Sequence, residues 1–186
     1  MKTSIIKIAL VLLVFSVGIQ LGLGQQKGSL YLGLGPDITT EKEYTKGEFD
    51  VNVLPFVIQY NLNNYMGIRA STMINLHVNN GTEVSHVGGQ LALPVYFLSG
   101  ASSPVTGIYL APVLGVSHNL ISEGNEITAA AEAGYTWITH SGFTMNLGLQ
   151  LGGTYFTAND NTAGWRNHSG IKFSLGYTFR NAKKSR

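Results

Sequence analysis

The chain has 186 residues, a formal net charge of +2, 23 glycines and no cysteine. The length fits one domain. The lack of cysteine excludes disulfides, thiol catalysis, zinc–thiolate sites and a lipidated N-terminal cysteine. Charged residues make up 12% of the chain, against a usual ~25%, so few charges are available to cover a water-facing surface.

The N-terminus predicts a secretory signal peptide over residues 1–24. Lys2 and Lys7 give it a positive start, residues 8–19 are apolar, and small residues precede a new N-terminus at Gln25. A retained transmembrane helix is the alternative, but the apolar run is shorter than the ~20 residues that a span needs. Cleavage removes two of the 12 basic residues, so the remainder balance the 10 acidic ones. A neutral mature chain gives no indication of nucleic-acid binding.

Eight segments of alternating apolar and polar residues follow. They cover residues 28–38, 49–60, 65–78, 85–98, 107–118, 127–138, 143–155 and 170–180. Successive side chains of a strand point to opposite faces of a sheet, so each segment predicts a two-faced β-strand. The phase is irregular near Pro55, where we predict a bulge because proline cannot donate to a central ladder.

Two architectures fit such strands, and they differ in where the apolar rows point. A soluble sandwich or a lipocalin-like barrel turns them inward, whereas a membrane barrel turns them towards lipid. A soluble barrel needs charged outward residues on every strand, and the polar rows here have almost none. The segments also match the ~9–11 residues of a tilted spanning strand better than the ~5–6 of a soluble one. We therefore predict an all-β fold, an eight-stranded antiparallel up-and-down transmembrane β-barrel over residues 25–180, with a basic tail at 181–186.

Loop charge and aromatic residues sort towards the ends of the predicted strands. Connections after strands one, three, five and seven carry almost all loop charge, which places them outside the cell in an even-stranded barrel. The predicted acidic outer rim contains Asp37, Glu41, Glu43, Glu48, Asp50, Glu83, Glu123, Glu126 and Asp160 against Lys42, Lys46 and Arg166. Two predicted aromatic girdles contain Tyr60, Tyr65, Phe97, Tyr109, Trp137, Phe143, Tyr177 and Phe179 below, and Phe49, Tyr155, Phe156 and Trp165 above.

The inward rows carry few charges, and Glu132 lies near mid-height. A lone buried carboxylate would cost several kcal/mol, so we predict that Glu132 pairs with Arg69, Lys172 or both. The expected interior polar network consists of Arg69, Gln90, Glu132, Asn146, Gln150 and Lys172, with Thr128 beside them. Side chains fill the interior of an eight-stranded barrel, so we expect no open pore. The network could be a structural plug, a gate or an ion path.

The chain resembles the small eight-stranded outer-membrane barrels of Gram-negative bacteria, the family of the OmpA transmembrane domain and OmpX-like proteins. The resemblance rests on the strand pattern of residues 28–179, the signal peptide and the aromatic-ended segment 173–179. It implies contact with outer-membrane lipid and lipopolysaccharide, and insertion by the barrel-assembly machinery, which in this family reads a terminal aromatic residue. Here seven more residues follow Phe179, which departs from that ending. We expect a monomer.

No catalytic residue, metal site or cofactor is predicted. The five histidines are scattered and show neither H-x-x-x-H nor H-E-x-x-H spacing. His168 and Ser169 invite comparison with outer-membrane lipid A deacylases, although the pattern of those enzymes is longer. The leading hypothesis is a non-enzymatic barrel with a structural or surface-interaction role. The alternatives are a lipid-modifying enzyme and a carrier of small hydrophobic ligands.

Overall fold

The computed structural model describes residues 28–41, 48–53, 55–63, 65–78, 82–97, 107–157 and 162–179. Over this part of the chain, no helix is long and apolar enough to cross a membrane. The strands are β1 (Ser29–Leu34), β2 (Asp37–Glu41), β3 (Phe49–Asn52), β4 (Phe56–Asn61), β5 (Gly67–Val78), β6 (Thr82–Ala92), β7 (Val95–Tyr96), β8 (Gly107–Asn119), β9 (Gly124–Ile138), β10 (Phe143–Thr157) and β11 (Ala163–Phe179). The predicted signal peptide, the C-terminal tail and four residues of the predicted rim (Lys42, Glu43, Lys46 and Asp160) lie outside the described residues.

The strands form one closed antiparallel barrel. Three pairs of strands, β1 with β2, β3 with β4, and β6 with β7, each make up one interrupted segment, so eleven strands form eight segments. Each segment pairs with the next in chain order, and β11 pairs with both β1 and β2 to close the ring. This confirms the predicted eight-stranded up-and-down topology. Closure leaves no open sheet edge around the ring.

Proline interrupts three of the eight segments. The breaks lie at Pro36, Pro55 and Pro94, and the one at Pro55 confirms the predicted irregularity. Proline cannot donate to a ladder, but its carbonyl oxygen can accept. The Pro55 oxygen accepts from the Gly35 amide at 2.8 Å, and the Pro36 oxygen accepts from the Phe173 amide at 3.2 Å. The neighbouring segments therefore stay joined across the breaks.

A β-bulge in β6 changes the upper end of the barrel. Asn75 pairs with His86 and Leu76 with Val84, which leaves Ser85 as an extra residue. Both Ser85 and His86 are buried, at 1% and 5% exposure. The bulge thus brings two consecutive polar side chains to the inner side of the barrel.

The barrel has its polarity inverted relative to a soluble protein. Among the described residues, 23 buried side chains are polar or charged and only seven are hydrophobic. The large exposed side chains on the outer face are mostly Leu, Ile, Val and aromatic residues, including Leu114, Leu149 and Ile171. Buried positions of soluble proteins are mainly apolar. The predicted outward direction of the apolar rows is confirmed, and the lipocalin-like alternative is wrong.

Candidate functional site

The centre of the barrel interior holds one ion pair. Arg69 on β5 and Glu132 on β9 are 2.5 Å apart, and the Glu132 side chain is 2% exposed. The hydroxyl of Tyr109 donates to Glu132 Oε1 at 2.6 Å, and Gln150 Nε2 donates to Oε2 at 2.7 Å. Both carboxylate oxygens therefore have donors, as a buried charge requires. Arg69 also lies over the Tyr109 ring, with its guanidinium carbon 5.4 Å from the ring centroid.

The other residues of the expected network divide between this centre and its surroundings. Gln90 joins the centre, because Gln150 Nε2 donates to its side-chain oxygen at 3.4 Å. Asn146 lies in a lower layer, where it donates to Ser174 at 2.9 Å and accepts from Thr136 at 2.5 Å. Thr128 instead contacts Thr154, at 2.9 Å between their hydroxyl oxygens.

Lys172 pairs with Asp37 rather than with Glu132. The Lys172 Nζ to Asp37 Oδ2 distance is 2.8 Å, and the two residues are register partners across β11 and β2. Of the two partners predicted for Glu132, Arg69 is the one that pairs with it, because Lys172 pairs with Asp37, which was predicted to lie on the outer rim. In the structure Asp37 begins β2 and points inward, with 7% exposure.

A second charged cluster lies at the upper end of the interior and was not predicted. His86 is central: its Nε2 is 3.2 Å from Glu126, and its Nδ1 is 3.4 Å from Asp50. Arg166 also pairs with Glu126, and His77 lies 3.0 Å from Asp50. Both ring nitrogens of His86 therefore lie near carboxylates, and the side-chain nitrogen of Asn119 is 3.0 Å from Nε2 as well.

Placing Asp37, Asp50, Glu126 and Arg166 on the acidic outer rim was therefore wrong. Strands β9 and β11 begin earlier than predicted, at Gly124 and Ala163, whereas Asp37 and Asp50 lie within their predicted segments but are buried. Charged residues at the strand ends were read as loop residues. The alternation of inward and outward residues could have shown this, because Glu126 and Arg166 continue the inward rows of their strands.

Three tyrosines fill much of the lower interior. Tyr31, Tyr96 and Tyr109 are at most 2% exposed, and the Tyr96 and Tyr109 rings are 5.3 Å apart between centroids. The predicted position of Tyr109 in the lower girdle was wrong, because it lies on the inward row of β8. Phe156 is likewise not in the upper outer girdle. It lies on the inward row of β10, with the Arg166 guanidinium carbon 5.1 Å from its ring centroid.

Two small cavities lie one above the other in the interior. The lower one, of about 40 Å³, is lined by residues that include Asp37, Arg69 and Glu132. The upper one, of about 20 Å³, is lined by residues that include His86 and Glu126. Gln90 lines both cavities, and with its partner Gln150 it separates them. These volumes correspond to roughly three water molecules below and one above.

His168 and Ser169 do not form a common site. His168 is buried inside the barrel, with its Nε2 3.3 Å from the side-chain oxygen of Gln150. Ser169 lies on the outer face, where its hydroxyl oxygen is 2.9 Å from that of Thr40. Consecutive strand residues point to opposite faces, so the sheet separates these two side chains.

A closed ring of eight antiparallel segments with an apolar exterior and a polar interior defines a small transmembrane β-barrel. No protein-family model matches the chain, and no curated protein matches it. Matching solved structures include a de novo designed transmembrane β-barrel, at 14% identity and a TM-score of 0.45, covering 84% of this chain and 100% of that one. Ail, the attachment invasion locus protein of Yersinia pestis, matches at 15% identity and a TM-score of 0.43, covering 83% and 99%. The same protein in complex with the heparin analogue sucrose octasulfate matches at 14% and 0.41, covering 83% and 99%.

Proposed function

We propose that the chain is a non-enzymatic, monomeric β-barrel of the outer membrane of a Gram-negative bacterium, with a structural or surface-interaction role and no open pore. A signal peptide exports it, and the barrel-assembly machinery inserts it. Outer-membrane lipid and lipopolysaccharide then surround its apolar face. It needs no cofactor.

The polar filling of the interior is the observation that supports this proposal. The Glu132 carboxylate and its three donors lie across the middle of the barrel, and buried tyrosines lie beneath them. The larger cavity has a volume of about 40 Å³, too little for a continuous column of water. An interior whose central charges are paired in this way acts best as a rigid plug that holds the barrel wall.

The two alternatives find less support. A lipid-modifying enzyme needs a base and a nucleophile that converge, and His168 and Ser169 lie on opposite sides of the sheet. A carrier of hydrophobic ligands needs an apolar cavity, since such sites are lined mainly by apolar side chains. The lining of both cavities is instead rich in charged and amide side chains.

Electrophoresis tests the proposal directly. The mature protein is extracted from the outer-membrane fraction and run in SDS with and without boiling. We expect a change in mobility on boiling, because a closed membrane barrel resists SDS until it is heated. A soluble periplasmic protein without this change would contradict the proposal.

Two further measurements test the absence of a pore and of an enzymatic role. The same preparation in a planar bilayer should give no stable conductance steps, and steps in the unmodified protein would contradict a closed interior. Cells carrying His168→Ala or Ser169→Ala should keep the lipid A profile of the parent. A loss of lipid A trimming in either variant would instead support the enzyme.

A further inference from the structure

An aromatic patch lies on the outer face of the barrel, above its apolar band. Tyr155 on β10 and Trp165 on β11 are direct register partners, and their ring centroids are 5.4 Å apart. The next outward pair below them is Gly153 and Asn167. We call these four residues the rim patch. Trp165 is 68% exposed and Asn167 is exposed as well.

The outward row of β11 shows where the lipid tails end. From the bottom upward it is apolar from Phe179 to Ile171, and it is polar at Ser169 and Asn167. A tilted strand crosses the hydrocarbon layer in about 9–11 residues, which counted from Phe179 also ends near Ser169. Trp165 therefore stands four to six residues higher. At ~3.3 Å per residue and a tilt of ~45°, that is roughly 9–14 Å above the tails.

This height distinguishes Trp165 from a residue of an aromatic girdle. A girdle aromatic lies where the tails meet the headgroups, and the polar region adds only about 5–8 Å on each side of the hydrocarbon layer. At its height and on the outward face, Trp165 meets whatever is attached above the acyl chains of the neighbouring lipids. In the outer leaflet of a Gram-negative bacterium those groups are the sugars of lipopolysaccharide.

The geometry of the patch suits a sugar ring. A Cβ atom added at Gly153 would lie 3.4 Å from Trp165 Cε3 and 3.6 Å from Cζ3, so the indole rests against the glycine with most of its surface open. A flat, exposed aromatic surface attracts the C–H groups on one side of a pyranose, and an adjacent amide can bond its hydroxyls. Asn167 supplies that amide directly beside the glycine.

We propose that the rim patch binds the core saccharide of the lipopolysaccharide that surrounds the barrel. The proposal rests on the outer-membrane location under Proposed function. The patch continues the lipid-facing surface of β10 and β11 upward, so a lipid that packs its chains on Leu149 and Ile171 brings its sugars to Trp165. The bound species is the saccharide of a neighbouring lipid rather than a free sugar.

The test uses the full mature barrel in detergent micelles, with its fold verified first by the change in electrophoretic mobility. Trp137→Phe leaves Trp165 as the only tryptophan, because the chain has two. The probes are purified lipopolysaccharide that carries core sugars and lipid A that lacks them. We expect the first to bind about five- to tenfold more tightly, as one aromatic contact provides, and to shield Trp165 from acrylamide quenching.

Variants separate the patch from general lipid binding. Trp165→Ala should remove the preference for core sugars, and Gly153→Val should do so with the tryptophan still present, by forcing the indole away from the sheet. Trp137→Phe, at the opposite end of the barrel, should keep the preference.

Equal binding of both probes, or a preference that survives Trp165→Ala, would overturn the proposal. A change in oligomeric state on Trp165→Ala, without any preference for core sugars, would also overturn it and would indicate contact with a second barrel. A missing mobility change would instead refute the membrane location itself, so the two failures are distinguishable.

Discussion

The Glu132 carboxylate shows how one residue organises the interior of the barrel. It accepts from Arg69, Tyr109 and Gln150, which lie on three other strands. The side chains of Arg69 and Glu132 are only 10% and 2% exposed, so water screens neither charge well. Removing one member of such a pair leaves the other charge buried without a counter-ion, and this costs more than the pair itself contributes.

Glu132→Gln should therefore destabilise the barrel strongly. We expect the free energy of unfolding to fall by about 3–5 kcal/mol, measured by urea titration in detergent or lipid bilayers. A double variant, Arg69→Met with Glu132→Leu, should lose clearly less, because no buried charge remains. Glu83→Gln, at an exposed position, is the control and should stay within ~0.5 kcal/mol. A Glu132→Gln variant no less stable than the double variant would contradict this account.

At the level of the strands, the sequence predicted which side chains point outward more accurately than where each strand begins and ends. A side-chain period of two is enforced on every spanning strand, because one face meets lipid and the other a polar interior. The apolar rows of the regularly alternating segments therefore point as expected. The strand ends were wrong where charge was taken as the mark of a loop, at Glu126 and Arg166. Inside a membrane barrel a paired charge is a normal interior residue, so charge does not mark where a strand stops.

The bulge at Ser85 could not be predicted because it leaves the pattern intact on both sides. Above it, Val84 pairs with the outward Leu76, and below it, Val87 pairs with the outward Ile74. In the sequence, one extra residue in a regular alternation looks the same as a strand that simply begins one residue later, after the turn. Only the register shows that Ser85 and His86 both reach the interior.

The same register predicts which single deletion β6 tolerates. Deleting Ser85 restores regular alternation and should cost about 1–3 kcal/mol, for its bonds to Asp50 and the Asn75 carbonyl oxygen. Deleting Leu91 should prevent folding, because it turns either Gln90 or Tyr96 towards lipid. The readout is the heat-dependent mobility in SDS. If the Ser85 deletion fails to fold, or if the Leu91 deletion folds normally, the assigned bulge is wrong.

For the whole molecule, the apolar exterior and polar interior indicate that the outer surface contacts lipid rather than water. Exposed apolar side chains extend around the full ring, from Leu32 on β1 to Leu175 on β11. Soluble proteins rarely expose apolar patches beyond a few hundred Å². In water this surface would aggregate, whereas lipid solvates it, and the closed ladder lets neighbouring segments pair their backbone groups with each other.

A single charge on the outer wall tests that conclusion. Leu147 lies midway along the outward apolar row of β10, between Phe143 and Leu151, and is 45% exposed. In a bilayer, Leu147→Arg should lower the free energy of unfolding by about 2–4 kcal/mol, because the cost of a cation is greatest at the midplane. Thr157→Arg on the same strand and face, above the band, should cost at most ~1 kcal/mol.

If the outer wall faced water instead of lipid, the two substitutions would give a different result. An exposed Leu→Arg change in a soluble protein usually stays within ~0.5 kcal/mol, and it often improves solubility. The two substitutions would then cost the same. Only a lipid-facing wall makes the penalty depend on height, so a difference of about 2 kcal/mol or more between Leu147→Arg and Thr157→Arg identifies lipid as the partner of the apolar rows.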